Sequence, residues 1–266
     1  MKLTPIRPTL IALLAAGALA GAALTTHTAM HPAQAAPASV SGRTPVVVEL
    51  FTSEGCSSCP PADALLSQLT KNQPIAGVDV IALGEHVDYW DHGGWADRFS
   101  SRRFTTRQND YANSFRKNTV YTPQMIVDGQ AQFVGSDEDA ARTAIARAAR
   151  QPKAHVLLGR TGDTLSVRVD HLPLSAKSDP AEVVLAITES GLSSSVGGGE
   201  NAGRRLGHSA VVRQFTSLGV VSGGTFSASP TVRPVSGWRR ETLSAVVFVQ
   251  ERGSRRIVGA AEVELG

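Results

Sequence analysis

Cys56 and Cys59 are the only cysteines in the chain, standing as Cys56-Ser57-Ser58-Cys59 between an apolar run, Val46 to Phe51, and a helical pattern that begins at Pro60. The spacing therefore predicts a dithiol at a strand-to-helix junction. A cysteine at a helix N-terminus faces the positive end of the macrodipole and unpaired backbone N–H groups, both of which favour thiolate over thiol. A structural staple is the other reading, and it is poorly served by this spacing. In the chain-entropy account, closing a loop of four residues is worth roughly 2 kcal/mol, against about 4.7 kcal/mol for 100 residues. A pair this close suits opening and closing, or metal binding, better than stapling.

The N-terminus reads as a signal peptide over residues 1–35. Lys2 and Arg7 supply a positive start, Leu10 to Leu24 is apolar, and Ala33-Gln34-Ala35 offers small residues for cleavage after Ala35. About 15 apolar residues fall short of the roughly 20 that a spanning helix needs. No cysteine lies near the junction to carry a lipid. Export to the periplasm or beyond is the expectation, and there a disulfide persists unless something reduces it. Of the 26 Lys and Arg, two are lost with the leader, against 23 Asp and Glu that remain. So small an excess makes no electrostatic case for nucleic acid or for stable membrane association. Residues 36–44 read as a linker of Ala, Pro, Ser and Gly, and the chain beyond is long enough for one large or two modest cores.

From 45 to 151 strand and helix signals alternate. Val46–Phe51 and Val78–Leu83 are predicted strands, and Pro60–Lys71 is an amphipathic helix with Leu65, Leu66 and Leu69 on one face. Pro60 and Pro61 are tolerated there because first-turn N–H groups lack an intrahelical partner. A long helical stretch is expected from Trp95 to Lys117, interrupted near Arg103. Gln124–Val127 and Ala131–Val134 flank Asp128-Gly129, a hairpin signal, and Asp137–Arg150 closes the segment as a helix. Beyond Gln151, seven short strand-like runs between Ala154 and Leu265 suggest a smaller all-β, sandwich-like domain over 152–266, the alternative being that some of them extend the first sheet.

The order β-α-β-α-β-β-α, with the dithiol at the first strand-to-helix turn, resembles the thioredoxin core. The likeness implies an α/β thioredoxin-like domain and a proline, usually cis, facing the cysteines; Thr122-Pro123 occupies that place. With the loops included, Val48 through Asp63, His86-Val87-Asp88-Tyr89-Trp90-Asp91, Arg107-Gln108 and Val120-Tyr121-Thr122-Pro123-Gln124 together resemble the bacterial secreted family known as domain-of-unknown-function family 1223. What this implies is a secreted thioredoxin-like protein whose physiological substrate is not named by the family.

On that resemblance Cys56, the N-terminal and more exposed cysteine, is the nucleophile, and Cys59 resolves the mixed disulfide. Gly55 stands where thioredoxin has a tryptophan, so an aromatic docking platform is missing unless Tyr89, Trp90 or Trp95 folds over the site. Glu49 is the candidate buried carboxylate for moving a proton, provided strand alternation turns it inward; a solvated edge position is the other reading. His86, Asp88, Asp91 and His92 form either a loop tied by hydrogen bonds or, through His86 with both cysteines, a site for copper(I) or zinc(II). The run Gly197-Gly198-Gly199-Glu200-Asn201-Ala202-Gly203 lacks the Gly-Lys-Ser ending of a phosphate loop and reads as flexible. Arg204, Arg205, His208 and Arg213 after it suit an anion or partner surface, or a solvated strand face.

Three functions are compatible with these residues. The first is a thiol-disulfide oxidoreductase that needs no cofactor and acts on protein or small-molecule thiols and disulfides, with the direction of electron flow left open. The second is a copper or zinc module. The third is a non-catalytic binding protein on the same fold.

Overall fold

Val46 to Thr52 are all buried, so their strand has protein on both faces and needs no alternation of apolar and polar residues. In the computed structural model this strand, β1 (Thr44–Thr52), lies inside an eight-stranded sheet. The structure describes residues 42–173, 178–233 and 235–266; the signal peptide expected over 1–35 and most of the linker lie outside the described residues. The first half contributes β2 (Val78–His86), parallel to β1, and β3 (Gln124–Val127), antiparallel to it. β4 (Ala131–Val134) pairs with β3, giving the order β2-β1-β3-β4. Of the three residues between β3 and β4, Asp128 and Gly129 take positive φ, +46° and +63°, as a tight right-twisting hairpin requires.

Alternation along β1 decides which helix meets which residue. Val46, Val48 and Leu50 face α1 (Pro60–Asn72) and α3 (Glu138–Ala148) through Leu65, Leu66, Leu69, Ala141 and Ile145. Val47 and Phe51 face Phe104 and Tyr111 of α2 (Arg102–Ser114) across the other side. The helix expected from Trp95 thus begins only at Arg102. Ser101 takes an extended backbone and caps it by accepting from Arg103 N–H, while residues 95–101 are held as a loop.

The second half does not form a separate domain. The strands named from sequence are there as β5 (His155–Thr161), β6 (Thr164–Asp170), β7 (Ala181–Glu189), β10 (Val211–Val220), β11 (Phe226–Ala228), β12 (Leu243–Glu251) and β13 (Ile257–Glu264). Four of them, in the order β13-β12-β7-β10, continue the first sheet beyond β2. The junction is short: β10 runs parallel to β2 at Val211 and Gly84, and Gly84 N–H donates to Ala210 at 2.7 Å. A Cβ on Gly84 would stand 3.2 Å from the Ser209 carbonyl, so glycine lets the two backbones approach. The described residues accordingly form one compact unit. A sandwich-like layer does exist, because β11-β6-β5 packs on β7, β12 and β13 through Leu158, Leu165, Val167, Val183, Leu185 and Val247. It lies on the face that carries α1 and α3, and the opposite face is continuous from Phe51 to Phe248.

Two strands escaped the sequence reading: β8 (Leu192–Ser195) and β9 (Arg205–His208) pair as a hairpin whose tip is the glycine-rich run. At four residues each, with one buried residue in β8 and two in β9, they carry too little periodicity to be recognised.

Candidate functional site

Cys56 and Cys59 are joined in a disulfide at the start of α1. Cys59 is the N-cap, Pro60 and Pro61 occupy the first two helical positions, and the Cys59 carbonyl accepts from Ala62 and Asp63 N–H at 2.9 and 3.1 Å. The expected contrast in exposure is absent. Both cysteines are 0% exposed, and only Ser57 and Ser58 between them reach solvent. The Cys56 sulfur lies 3.4 Å from the Ser58 hydroxyl.

The cover comes from the hairpin tip. Asn201, itself fully buried, donates through Nδ2 to the Glu54 and Cys56 carbonyls, each at 2.9 Å, and Glu200 accepts from Ser57 N–H at 2.9 Å. The glycine-rich run is therefore a docked loop. Gly198 lies so close to Gly94 that a Cβ there would stand 2.2 Å from the Gly94 carbonyl, a distance no side chain tolerates. His208, placed by sequence on a surface, is also buried.

Beneath this loop lies a group of buried polar side chains. Glu54 accepts from Trp95 Nε1 at 2.8 Å and lies 3.1 Å from His208 Nε2. Burial favours its neutral form, but these hydrogen bonds outweigh that and hold its carboxyl below the ordinary range. His86 Nδ1 lies 2.6 Å from Asp97, which also accepts from Glu54 N–H at 2.9 Å. Burial opposes charge on His86, yet the Asp97 carboxylate raises its pKa; the same pairing keeps Asp97 below its usual value against the cost of burial. The His86 and His208 rings meet edge to face at 4.9 Å. On α1, burial pushes Asp63 up to about 6, although His86 and His208 favour its ionised form. Asp63 and His208 line a cavity of about 400 Å³ with Pro60, Ser67, Arg204 and Arg205.

The residues named from sequence are partly brought together. Thr122-Pro123 is a cis peptide. Pro123 lies by the first turn of α1, for a Cβ on Gly135 would meet Pro123, Ala62 and Leu50 at 3.1, 3.0 and 2.7 Å. Trp90 donates to the Thr122 hydroxyl at 2.7 Å and packs against Gly55, so it stands beside the position where the platform tryptophan was missing. Tyr89 instead donates to Gln108 at 3.2 Å. Asp88 accepts from Thr105, and Asp91 from Ser100 at 2.6 Å and from Asp97 N–H at 3.1 Å; these bonds tie the loop down.

Glu49 is not beside the cysteines. It points to the α2 face, where Arg107 and Tyr111 hold both its oxygens, so a buried ion pair forms where a proton carrier was expected. With the disulfide formed, the Cys56 and Cys59 sulfurs are bonded to each other and His86 Nδ1 is paired with Asp97. What sequence reading missed was Glu54, Asp63, Asp97, Glu200 and Asn201. Glu54 and Asp63 flank the cysteine motif and could have been suspected; the others become neighbours only through folding.

Fold and site together define a mixed α/β protein built round one large sheet, with a single buried C-x-x-C disulfide at a strand-to-helix turn. The family model described as "Protein of unknown function (DUF1223)" matches residues 47–250, and the chain belongs to that family. The match runs from β1 into β12 and so spans both halves of the sheet. A crystal structure of a protein from Agrobacterium tumefaciens is 28% identical, with a TM-score of 0.68 over 83% of this chain and 94% of that one. A domain of the outer membrane lipoprotein Omp28 from Porphyromonas gingivalis overlaps 43% of this chain and 94% of its own at 16% identity and a TM-score of 0.25. No curated protein matches the chain.

Proposed function

We propose that the chain is an exported thiol-disulfide oxidoreductase whose working pair is Cys56 and Cys59. The observation that carries this reading is the disulfide at the N-terminus of α1, directly after the central strand. The strand order β2-β1-β3-β4, with β3 and β4 antiparallel, and the cis Thr122-Pro123 beside α1 are those of a thioredoxin-like core and support it.

In the oxidised form a substrate thiolate attacks the Cys56 sulfur, the Cys56–Cys59 bond breaks, and Cys59 leaves as a thiolate that takes up a proton. A second substrate thiolate then attacks the substrate sulfur of the mixed disulfide and releases the Cys56 thiolate. The substrate dithiol loses two electrons and the protein gains them; run backwards, the same steps reduce a substrate disulfide. The positive end of the α1 macrodipole favours each thiolate, for Pro60 and Pro61 bring no N–H and those of Ala62 and Asp63 are taken by the Cys59 carbonyl, and the Asn201 loop must lift before any substrate sulfur reaches the pair.

The test is the redox midpoint of the pair, read by alkylation and intact mass across thiol buffers. A reversible midpoint between about −120 and −270 mV is expected, whereas one below about −300 mV with slow exchange would make the bond structural. Cys59→Ser should accumulate mixed disulfides on Cys56, and Cys56→Ser should lose turnover. Trapping by the opposite variant would reverse the two roles.

Asp63 is the group we assign to supply the Cys59 proton, being one helical turn away with its carboxyl pushed up to about 6. Protonated below that value, it donates to the departing sulfur; ionised above it, it cannot. The rate of disulfide opening, corrected for attacking thiolate, should therefore fall as pH rises through about 6, and Asp63→Asn should abolish that inflection. An inflection retained in the variant would point to another proton donor.

A further inference from the structure

Away from the dithiol, where β5 begins and β6 ends, the structure assigns a binding site for a divalent cation of the borderline, imidazole-preferring class to which zinc belongs, formed by His155, Asp170 and His171. Among the described residues these three form a group whose ligating atoms all lie within 4.8 Å of one another.

The backbone brings them together from both strands. His155 and Asp170 are direct partners in the antiparallel β5–β6 register, which places their side chains on one face. The next residue in a regular strand would point to the opposite face. His171 does not, because its φ of +53° breaks the alternation and brings its ring to 4.6 Å from that of His155. Both Nδ1 atoms then address the same carboxylate oxygen: Asp170 Oδ1 is 2.5 Å from His171 and 3.5 Å from His155. Its other oxygen lies 3.5 Å from Arg168 Nε and is left to that partner.

Donors on a tetrahedral zinc with bonds of about 2.0–2.1 Å stand roughly 3.3 Å apart. His155 and Asp170 are already near that separation. His171 needs only to exchange its hydrogen bond for a metal bond, and both imidazoles are exposed enough, at 66% and 72%, to make the adjustment. Two imidazoles and one carboxylate leave a coordination position open to water or a further ligand, and their softness favours zinc over calcium or magnesium.

The test uses the full chain carrying His27→Ala and His31→Ala, which removes the leader histidines, titrated with zinc(II) alone by calorimetry. One equivalent is expected. His155→Ala and His171→Ala should each weaken it at least tenfold, while His92→Ala, also exposed, should leave it unchanged. Magnesium at the same concentration should give no heat. Equal zinc binding by the parent and His171→Ala chains, or no bound equivalent at all, would overturn the assignment. Circular dichroism of each variant separates loss of the site from loss of the fold.

Discussion

Replacing Arg107 by methionine should lower the unfolding free energy by about 3–5 kcal/mol, the usual consequence of leaving buried charge without its partner. Arg107 donates to Glu49 through Nε at 2.8 Å and through Nη2, to Tyr111 at 3.0 Å and to Gln250 at 2.9 Å. Gln250 in turn donates to the Tyr111 hydroxyl at 2.8 Å, so β1, α2 and β12 meet at one guanidinium. Among the described residues Glu85, 3.4 Å from Arg107 Nε, has no hydrogen-bond partner for either oxygen. Its desolvation, reinforced by the neighbouring Glu49, raises its pKa well above the ordinary value despite Arg107. The native state therefore keeps a proton that the unfolded chain releases. Stability should fall as pH rises from the unfolded pKa of about 4.3 toward the raised native value. Glu85→Gln removes that decline and should be no less stable than the parent at neutral pH. Denaturant unfolding at several pH values measures both effects. A loss under about 1 kcal/mol for Arg107→Met would mean that the carboxylates simply protonate, and that the ion pair does not hold the two halves of the sheet together.

Asn201→Ala should speed reduction of the Cys56–Cys59 disulfide by about tenfold or more. The two Asn201 hydrogen bonds join the loop to the Glu54 and Cys56 carbonyls, and each is worth roughly 0.5–1.5 kcal/mol. Losing both shifts the balance toward an open loop by about 1–3 kcal/mol, and about 1.4 kcal/mol is a factor of ten. Gly198→Ala, which sets a methyl against the Gly94 carbonyl, should act in the same direction by a different contact. Reduction by dithiothreitol, timed by alkylation under native conditions, reads both variants. Unchanged rates in both would show that the sulfurs are reached without displacing this loop.

The first half of the fold was legible because its signals are local. The β1 run, the proline-started α1, the Asp128-Gly129 hairpin and the cysteine pair each act within a few residues. Both hairpin strands, Gln124–Val127 and Ala131–Val134, have the limits that their spacing predicts. Two expectations went astray for lack of partners. Glu49 sits on a strand buried on both faces, where no polar alternation marks the inward side, and only the approach of Arg107 from α2 decided which side its charge occupies. The long helix before Arg102 was read from aromatic spacing, yet Trp95 and Asp97 are used by Glu54, which holds that stretch as a loop.

By itself the amino-acid sequence determined where the sulfurs lie, the helix that follows them, and the turn that returns β4 to β3, because chain stereochemistry and nearest neighbours settle such features. Only the tertiary structure decided that the second half extends the first sheet through Gly84, that Asn201 and Glu200 cover the disulfide from 145 and 143 residues away, and that His155 meets His171. Those outcomes rest on unpaired strand edges, apolar faces and buried polar groups finding complements far along the chain, and a linear pattern does not encode which distant segment supplies them.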